Sequence, residues 1–463
     1  MHAVASQRKK KRVLVVGAGA TGLSCVRHLL AQGCEVRLLD TRQIPPGLAE
    51  LRQLVPIGDI YLGDWPAAAF AGVDEVVVSP GIGLDSPALV DAAARGLPLL
   101  GDIELFARAV TRPVLAVTGS NGKSTVTTLV GQMLTRAGRT VAVGGNLGTP
   151  ALDLLAGPSP DAYVLELSSF QLERTASLRP AAACVLNLSP DHIDRHGSFA
   201  AYAAAKARVL NGAAVAVLSR DDAGVAALAG GLGATQRVVW FGLGAPTGAS
   251  DFGLLERDGA PWLARGDEAL LPAAALRLPG RHNIVNALAA LALVDAVGVP
   301  LAGALPALQE FAGLPHRTQW VAEHGGVAWY DDSKGTNVGA TLAAVAGLAP
   351  TRPGGRLVLI LGGQGKDQDF APLRGALAAH GRAAVLIGED AASIADALGD
   401  AVPIHRATDM AAAVATAAAL AQPGDGVLLS PACASFDMFS GYAARGEAFV
   451  RAVRALTGVI ADE

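Results

Sequence analysis

The amino-acid sequence predicts an α/β protein, and three observations support that class. Short apolar runs rich in β-branched residues, bounded by Gly or Pro, alternate with helical stretches, as a parallel sheet covered on both faces requires. Three of these runs end in glycine-rich turns that open helices, after Val16, Val117 and Leu361. The length of 463 residues leaves room for about three domains, so each turn could begin a separate doubly wound unit. The predicted strands are residues 13–16, 36–39, 76–78, 114–117, 163–167, 185–188, 357–361, 383–387 and 427–429.

The positions of the glycine-rich turns also predict the domain boundaries. We place them near Asp102, before the strand that leads to the second glycine turn, and near Gly313. The predicted domains are therefore residues 1–102, 103–313 and 314–463. Residues 242–271 are rich in Gly, Pro and alternating polar residues, which predicts hairpins or loops inserted in the middle domain.

Composition excludes several classes of protein. The chain is 51% hydrophobic with a mean hydropathy of +0.38, but it has no run of 18 or more predominantly apolar residues, so we expect no membrane span. A net charge of −4 without a basic stripe gives no reason to expect nucleic acid. Small-molecule partners, a cytoplasmic location and a monomeric state are the expectation. The cysteines are widely spaced and form no CxxC pair, which argues against disulfides and zinc: Cys25, Cys34, Cys184 and Cys433.

The first glycine turn, Gly17-Ala18-Gly19-Ala20-Thr21-Gly22, leaves its ligand open. Asp40 stands 18 residues after Gly22, at the end of the next predicted strand. This spacing fits a dinucleotide fingerprint, because a helix N-terminus holds phosphate and a carboxylate binds a sugar hydroxyl. A nicotinamide or flavin, a nucleotide sugar or other phosphate ligand, and a purely structural turn all remain possible interpretations.

The second glycine turn is the stronger signal. Thr118-Gly119-Ser120-Asn121-Gly122-Lys123-Ser124-Thr125 lies between a predicted strand and the predicted helix 126–135. The strict eight-residue phosphate loop has Gly where this chain has Val117, so the loop is a shorter variant. Its parts are suited to the same work: backbone amides surround a β-phosphate, Lys123 reaches the β and γ oxygens, and the Ser124 hydroxyl ligates Mg²⁺. The turn predicts ATP binding.

Acidic and basic residues downstream add candidate ligands. Glu166 lies in the apolar run of a predicted strand, where a carboxylate is costly unless a cation accompanies it. Asp191, His192 and Asp194 share one loop, and beside an ATP site they favour metal or phosphate chemistry over simple capping. Lys206 lies in an Ala-rich helical stretch, and taken alone its default interpretation is a solvated surface lysine.

Six further motifs extend the pattern over nearly the whole chain. They are Leu-Glu-Leu-Ser-Ser-Phe-Gln-Leu at 165–172, Gly-Arg-His-Asn at 280–283, Pro-His-Arg at 315–317, Asp-Asp-Ser-Lys-Gly-Thr-Asn at 331–337, Leu-Gly-Gly-Gln-Gly-Lys at 361–366 and Leu-Ser-Pro-Ala-Cys-Ala-Ser-Phe-Asp at 429–437. In this order the motifs resemble the Mur ligase family, and within it the members that add D-glutamate.

The resemblance implies three domains: an N-terminal Rossmann-like domain for a uridine nucleotide, a central P-loop ATPase with a mostly parallel sheet, and a C-terminal Rossmann-like domain for the amino acid. It also implies the binding residues. Those for the UDP-linked substrate are Thr21, Asp40, Thr41, Ser79, Gly81 and Asn146. Those for ATP are Gly119, Ser120, Asn121, Gly122, Lys123, Ser124, Thr125, Asn283, Arg317 and Asp332. Those for D-glutamate are Lys334, Thr336, Lys366 and Ser435.

Two Mg²⁺ ions are part of the same expectation. Ser124 and Glu166 would hold one ion, and His192 the second. Lys206 matches a lysine that the family carries as a carbamate, which would make it an anionic oxygen ligand. Lys123, His192 and Lys206 are the expected catalytic residues.

The implied reaction is ATP-dependent addition of D-glutamate to UDP-N-acetylmuramoyl-L-alanine through an acyl phosphate, in peptidoglycan precursor synthesis. This chain has Gln364 where the family pattern has an acid and Tyr442 where it has Phe. Another Mur ligase or a folylpolyglutamate synthase is the nearest alternative, although other Mur ligases carry a histidine-containing motif at the position of residues 333–336. A redox enzyme and a non-catalytic ATP sensor are the alternatives from other classes.

Overall fold

The computed structural model describes residues 10–277, 280–311, 313–348 and 354–457, and it contains three sheets in succession along the chain. The high apolar content is accounted for by these sheets, whose central strands are buried on both faces. Within the described residues, no helix is both long and apolar enough to cross a bilayer.

The N-terminal sheet is parallel, with strand order β3-β2-β1-β4-β5. The order reverses between β1 and β4, and ligands of such sheets bind at the carboxyl ends of the strands on either side of this point. The first glycine turn follows β1 and Ser79 follows β4, so both predicted substrate segments lie there. The strands are β1 (Arg12–Val16), β2 (Glu35–Asp40), β3 (Ile60–Leu62), β4 (Glu75–Val78) and β5 (Leu99–Leu100); the helices are α1 (Ala20–Ala31), α2 (Leu48–Leu54), α3 (Ala67–Phe70), α4 (Pro87–Ala94) and α5 (Asp102–Ala109).

The middle sheet has nine strands in the order β14-β13-β12-β11-β10-β9-β6-β8-β7, parallel except for the last two antiparallel pairings, β12 with β13 and β13 with β14. Its strands are β6 (Val114–Thr118), β7 (Val141–Gly145), β8 (Ala162–Glu166), β9 (Ala182–Val185), β10 (Val215–Ser219), β11 (Arg237–Phe241), β12 (Phe252–Arg257), β13 (Ala260–Arg265) and β14 (Glu268–Pro272). Its helices are α6 (Lys123–Arg136), α7 (Ala151–Leu154), α8 (Ser169–Leu172), α9 (Ile193–His196), α10 (Phe199–Ala207), α11 (Ala223–Ala227), α12 (Arg281–Ala296) and α13 (Leu301–Glu310). The hairpins predicted within 242–271 are confirmed.

The predicted strand 185–188 is wrong. The structure ends β9 at Val185 and turns the next residues into a loop beneath the second glycine turn. Leu186 is buried there and lies against Gly119, so closely that a side chain added at Gly119 would come within 2.9 Å of the Leu186 Cβ. The apolar residues that suggested a longer strand instead support the phosphate loop.

The C-terminal sheet has the order β15-β16-β20-β17-β18-β19, with only the β15–β16 pair antiparallel. Its strands are β15 (Gln319–His324), β16 (Val327–Asp331), β17 (Leu357–Gly362), β18 (Gly381–Ile387), β19 (Ile404–Arg406) and β20 (Gly426–Leu429). Its helices are α14 (Val338–Leu348), α15 (Pro372–His380), α16 (Ala391–Leu398), α17 (Met410–Leu420) and α18 (Tyr442–Thr457). The predicted α/β class with three mostly parallel sheets is confirmed, while the boundaries at Asp102 and Gly313 stay predictions.

Candidate functional site

The second glycine turn forms a phosphate loop between β6 and α6. Gly119 and Gly122 have φ angles of +149° and +82°, which side chains rarely allow, so glycine is required at both positions. Asn187 fixes the loop, since its side-chain oxygen accepts the Asn121 N–H at 2.8 Å and its carbonyl accepts the Ser120 N–H at 2.9 Å. The Lys123 ammonium is folded over the loop and donates to the carbonyls of Gly119 and Ser120 at 3.0 and 2.9 Å.

Glu166 lies at the end of β8, beside β6, and is 3% exposed. One carboxylate oxygen, Oε1, accepts a hydrogen bond from Asn146 Nδ2 at 2.6 Å, whereas buried Oε2 has no hydrogen-bond partner among the described residues. Burial alone would raise the pKa of this carboxyl, but the Lys123 ammonium, the neighbouring Ser124 hydroxyl and the Asn146 hydrogen bond hold it below its usual value. A buried, ionised oxygen without a donor fits a cation.

Lys206 is buried, and the surface interpretation of this residue is wrong. The side chain leaves α10 inward, donates from Nζ to the Gly119 carbonyl at 2.7 Å and lies 4.7 Å from the Tyr202 ring centroid. Burial, reinforced by the nearby Lys123 ammonium, lowers the pKa of Lys206 well below the value of a free lysine. A lowered pKa favours the neutral, nucleophilic form of the amine, which is the form that adds to CO₂.

The loop after β9 joins the middle and C-terminal domains. Asp191 accepts hydrogen bonds from Lys366 Nζ at 2.9 Å and from Asn337 Nδ2 at 3.2 Å. Burial lowers the pKa of His192 to about 4, so its imidazole is neutral at pH 7 and free to act as a ligand. Asp194, in contrast, is exposed.

A cleft of about 380 Å³ lies between the middle and C-terminal domains, next to the phosphate loop. Six predicted ATP residues line it: Asn121, Gly122, Thr125, Asn283, Arg317 and Asp332. Arg317 Nη2 reaches across the cleft and donates to Ser124 Oγ at 2.6 Å, so a C-terminal cation already contacts the predicted metal-binding hydroxyl. Burial raises the pKa of Asp332 to about 7. The cleft has the position and the charges that a nucleoside triphosphate requires.

The predicted D-glutamate residues gather at one edge of the C-terminal sheet. Lys334 and Thr336 follow β16, Lys366 follows β17 and Ser435 follows β20, and these three strands are neighbours. The Lys334 ammonium lies 3.9 Å from the centroid of the Tyr442 ring, so this aromatic ring lies beside a residue predicted to bind D-glutamate. The backbone of Gln364 exchanges hydrogen bonds with the backbone of Ala434 at this edge.

The predicted UDP residues are divided between two places. Thr21 lies on α1 at the glycine turn, and Thr41 is exposed just after β2, while Asn146 lies beside Glu166 in the middle domain. Both oxygens of the Asp40 carboxylate already accept hydrogen bonds within the protein. They accept one from the Ala18 N–H at 2.7 Å, one from the Arg42 N–H at 2.9 Å and two from the Arg42 guanidinium. Asp40 therefore fixes the turn and orients Arg42, and a direct contact to substrate stays a prediction.

Comparison with known proteins identifies the family of this chain. Three family models match in order: a MurD-like N-terminal domain of Mur ligases at residues 11–101, the Mur ligase middle domain at 117–294 and the Mur ligase glutamate ligase domain at 316–433. The UDP-N-acetylmuramoylalanine--D-glutamate ligase of Nitrosococcus oceani is 53% identical over 441 residues, which are 95% of this chain and 96% of that protein. The chain belongs to the Mur ligase family.

Other Mur ligases agree with this assignment. The enzyme of the same name from Pseudomonas savastanoi pv. phaseolicola is 52% identical, covering 96% of this chain and 98% of its own. Among solved structures, UDP-N-acetylmuramate-alanine ligase MurC from Thermotoga maritima superposes with a TM-score of 0.61 at 21% identity, over 96% of this chain and 99% of its own. MurF ligase from the same organism, in complex with ADP, gives 0.61 at 17% identity, over 98% and 96%. At these identities the superpositions support the shared fold.

Sequence reasoning missed residues of this Mur ligase that hold the site together. Asn187 was assigned to a predicted strand, although it lies in a loop and accepts hydrogen bonds from two backbone N–H groups of the phosphate loop. Arg445, 1% exposed on α18, donates to the carbonyls of Ser333 at 2.9 Å and Cys433 at 3.0 Å, and so joins the loops after β16 and β20. Neither residue has a local sequence signal, because each acts on segments far away in the chain.

The lysines of this Mur ligase share one further property. Apart from the N-terminal run that ends at Lys11, every lysine of the chain is at the site: Lys123, Lys206, Lys334 and Lys366. All other cationic side chains beyond that run are arginine or histidine.

The affinity for an anionic amino acid is expected to fall at high pH. Burial, with repulsion from Arg317, lowers the pKa of Lys334 to about 8, so its positive charge is present below that pH and is lost above it. We expect kcat/KM for D-glutamate to fall about tenfold per pH unit above pH 8 relative to a K334R variant, which keeps its charge. Taking the ratio of the two profiles cancels titration of the substrate amine. Parallel profiles from pH 7 to 10 would contradict this prediction.

Proposed function

We propose that this Mur ligase joins D-glutamate to UDP-N-acetylmuramoyl-L-alanine with conversion of ATP to ADP and phosphate, in cytoplasmic synthesis of a peptidoglycan precursor. The observation that carries the proposal is the direct contact between the predicted ATP-binding domain and the predicted amino-acid-binding domain. Arg317 and Lys366 of the C-terminal domain hydrogen-bond to Ser124 and Asp191 of the ATP-binding domain. The nucleotide and the incoming amino acid would therefore be held side by side. A monomeric state remains a prediction.

Activation of a carboxylate explains why such an enzyme needs ATP. A carboxylate is a poor electrophile, because its charge is delocalised and its leaving group would be oxide. An oxygen of the L-alanyl carboxylate attacks the γ-phosphorus and ADP leaves, giving an acyl phosphate. The D-glutamate amine then attacks the acyl carbon, and loss of inorganic phosphate and a proton leaves the amide. Lys123 and Arg317 reduce the repulsion between the attacking carboxylate and the triphosphate.

The described residues fit a magnesium ion beside this nucleotide. Ser124 and the unpartnered oxygen of Glu166 would hold it, and bound there it would neutralise charge on the β- and γ-phosphates. No group of three or more His, Cys, Asp or Glu side chains in the described part of the chain is arranged to bind a metal. Phosphate oxygens and water would therefore supply most of the remaining ligands. Neutral His192 is the candidate ligand of a second ion.

Lys206 is proposed to carry a carbamate. The uncharged form of its amine adds to CO₂: a nitrogen–carbon bond forms and a proton leaves, so the amine is replaced by an anion with two oxygens. Burial against Gly119 and Tyr202 supports this proposal, because a free ammonium there is poorly solvated. The carbamate would face the same phosphates as Glu166.

Contacts between the domains would protect the acyl phosphate from water. Asn337 exchanges side-chain hydrogen bonds with Asn121 at 3.2 and 3.3 Å, in addition to the Arg317 and Lys366 contacts. Closed over the loop in this way, the C-terminal domain limits hydrolysis of the intermediate.

Substrate specificity tests the proposal directly. We expect ADP release from purified protein only when ATP, Mg²⁺, UDP-N-acetylmuramoyl-L-alanine and D-glutamate are all present. L-Glutamate, L-alanine and meso-diaminopimelate serve as matched alternatives and should give less than a tenth of that rate. Preference for any of these three would assign the chain to another reaction of the family. A nicotinamide absorbance change without ADP release would instead support the redox interpretation.

A further inference from the structure

The loop of residues 79–82, between β4 and α4, lies directly against the first glycine turn. The Ser79 N–H donates to the Val16 carbonyl at 2.9 Å, and a side chain added to Gly17 would come within 2.6 Å of Ser79 Oγ. Ser79 and Gly81 are both predicted to contact the UDP-linked substrate. The conformation of the 79–82 loop therefore sets one wall of the expected nucleotide site.

An arginine from the middle domain holds this loop. Arg174, just after α8, donates from Nη1 to the carbonyls of Val78 at 3.0 Å and Ser79 at 2.8 Å, and from Nη2 to the carbonyl of Ile82. It is 5% exposed. Burial lowers its pKa to about 10, so it remains charged at neutral pH. One planar guanidinium thus fixes three carbonyls of a short stretch in another domain.

A second arginine extends the contact toward the catalytic residues. Glu173 Oε1 accepts from Arg174 at 3.0 Å and from Arg195 at 2.8 Å, and Arg195 also donates to the Ile82 carbonyl at 3.2 Å. Arg195 belongs to α9, which begins directly after His192. The pair therefore connects the nucleotide wall to the loop that carries Asp191 and His192.

We propose that Arg174 is a positioning residue that sets the 79–82 loop for the diphosphate of the UDP-linked substrate and fixes its distance from the phosphate loop. The inference rests on the proposed function and adds a specific contributor to substrate recognition. A loop already held in its bound shape loses less conformational entropy when the ligand binds. Loss of Arg174 should therefore weaken uridine diphosphate binding while ATP and D-glutamate sites, built from other segments, are spared.

The test uses the full-length chain with three variants. R174M removes the guanidinium, R174K keeps the charge but cannot reach three carbonyls, and R208M is the control. Arg208 also donates to carbonyls, those of Leu172 and Thr175 in the same segment, but to none of the N-terminal domain. We measure Kd for uridine diphosphate by calorimetry, KM for each of the three substrates, and Tm.

We expect R174M to raise Kd for uridine diphosphate and KM for the UDP-linked substrate at least tenfold, with KM for ATP and D-glutamate changed less than twofold. R174K should recover little of this loss, and R208M should lower Tm without changing Kd. Unchanged Kd in R174M, full recovery in R174K, or equal rises of all three KM values would overturn the inference. Because Kd needs no turnover, a wild-type protein that binds uridine diphosphate but forms no amide would contradict only the proposed function.

Discussion

Replacing Lys123 with alanine is expected to abolish ADP release, lowering kcat by roughly 10³-fold, to background. The Lys123 ammonium lies on the phosphate loop within hydrogen-bonding distance of two loop carbonyls, where it can turn toward the β and γ oxygens of ATP. Its charge is needed most when negative charge moves between the two phosphates, so the loss should appear in kcat rather than only in KM.

The control for this variant lies on the same helix. R136A removes a cation from the last turn of α6, where Arg136 pairs with exposed Glu310 at 2.8 Å. A surface pair of this kind contributes about 0–1 kcal/mol, so near-normal turnover is expected. Near-normal turnover of K123A itself would contradict the ATP assignment.

Replacing Lys206 with alanine is expected to lower activity roughly 10²–10³-fold, because the proposed anionic ligand beside the phosphates is lost. Acetate or formate should restore part of the activity by occupying the space left by the side chain. The measurement is ADP release by K206A at increasing acid concentration, with chloride at equal ionic strength as the control. If no small carboxylate restores more activity than chloride, the carbamate proposal loses its support.

Local sequence patterns predicted the parts of the site that are built locally. The phosphate loop follows from its glycines, because both positive φ angles and the strand-to-helix turn are encoded within eight residues. Glu166 was expected to require a cation, and one of its oxygens has no hydrogen-bond partner within the described part of the chain. The alternation of apolar runs with helices was sufficient for the fold class.

Features that depend on distant segments were not predictable from those patterns. Lys206 stands in an Ala-rich helix, and only packing of α10 against Gly119 shows that its amine is buried. The contact between Asn121 and Asn337 joins residues 216 positions apart. Strands such as β10 (Val215–Ser219) and β16 (Val327–Asp331) were missed as well, although both lie within their sheets. Short apolar runs of this kind do not separate strand from buried helix.

The confinement of lysine to the N-terminal run and the site has a chemical consequence. Amines with depressed pKa values react fastest with acylating or carbonyl reagents, and on most proteins such reagents label the surface first. Here the remaining surface offers guanidinium groups, which those reagents largely ignore. Amine modification of this molecule beyond its first residues would therefore report access of the reagent to the site between the middle and C-terminal domains.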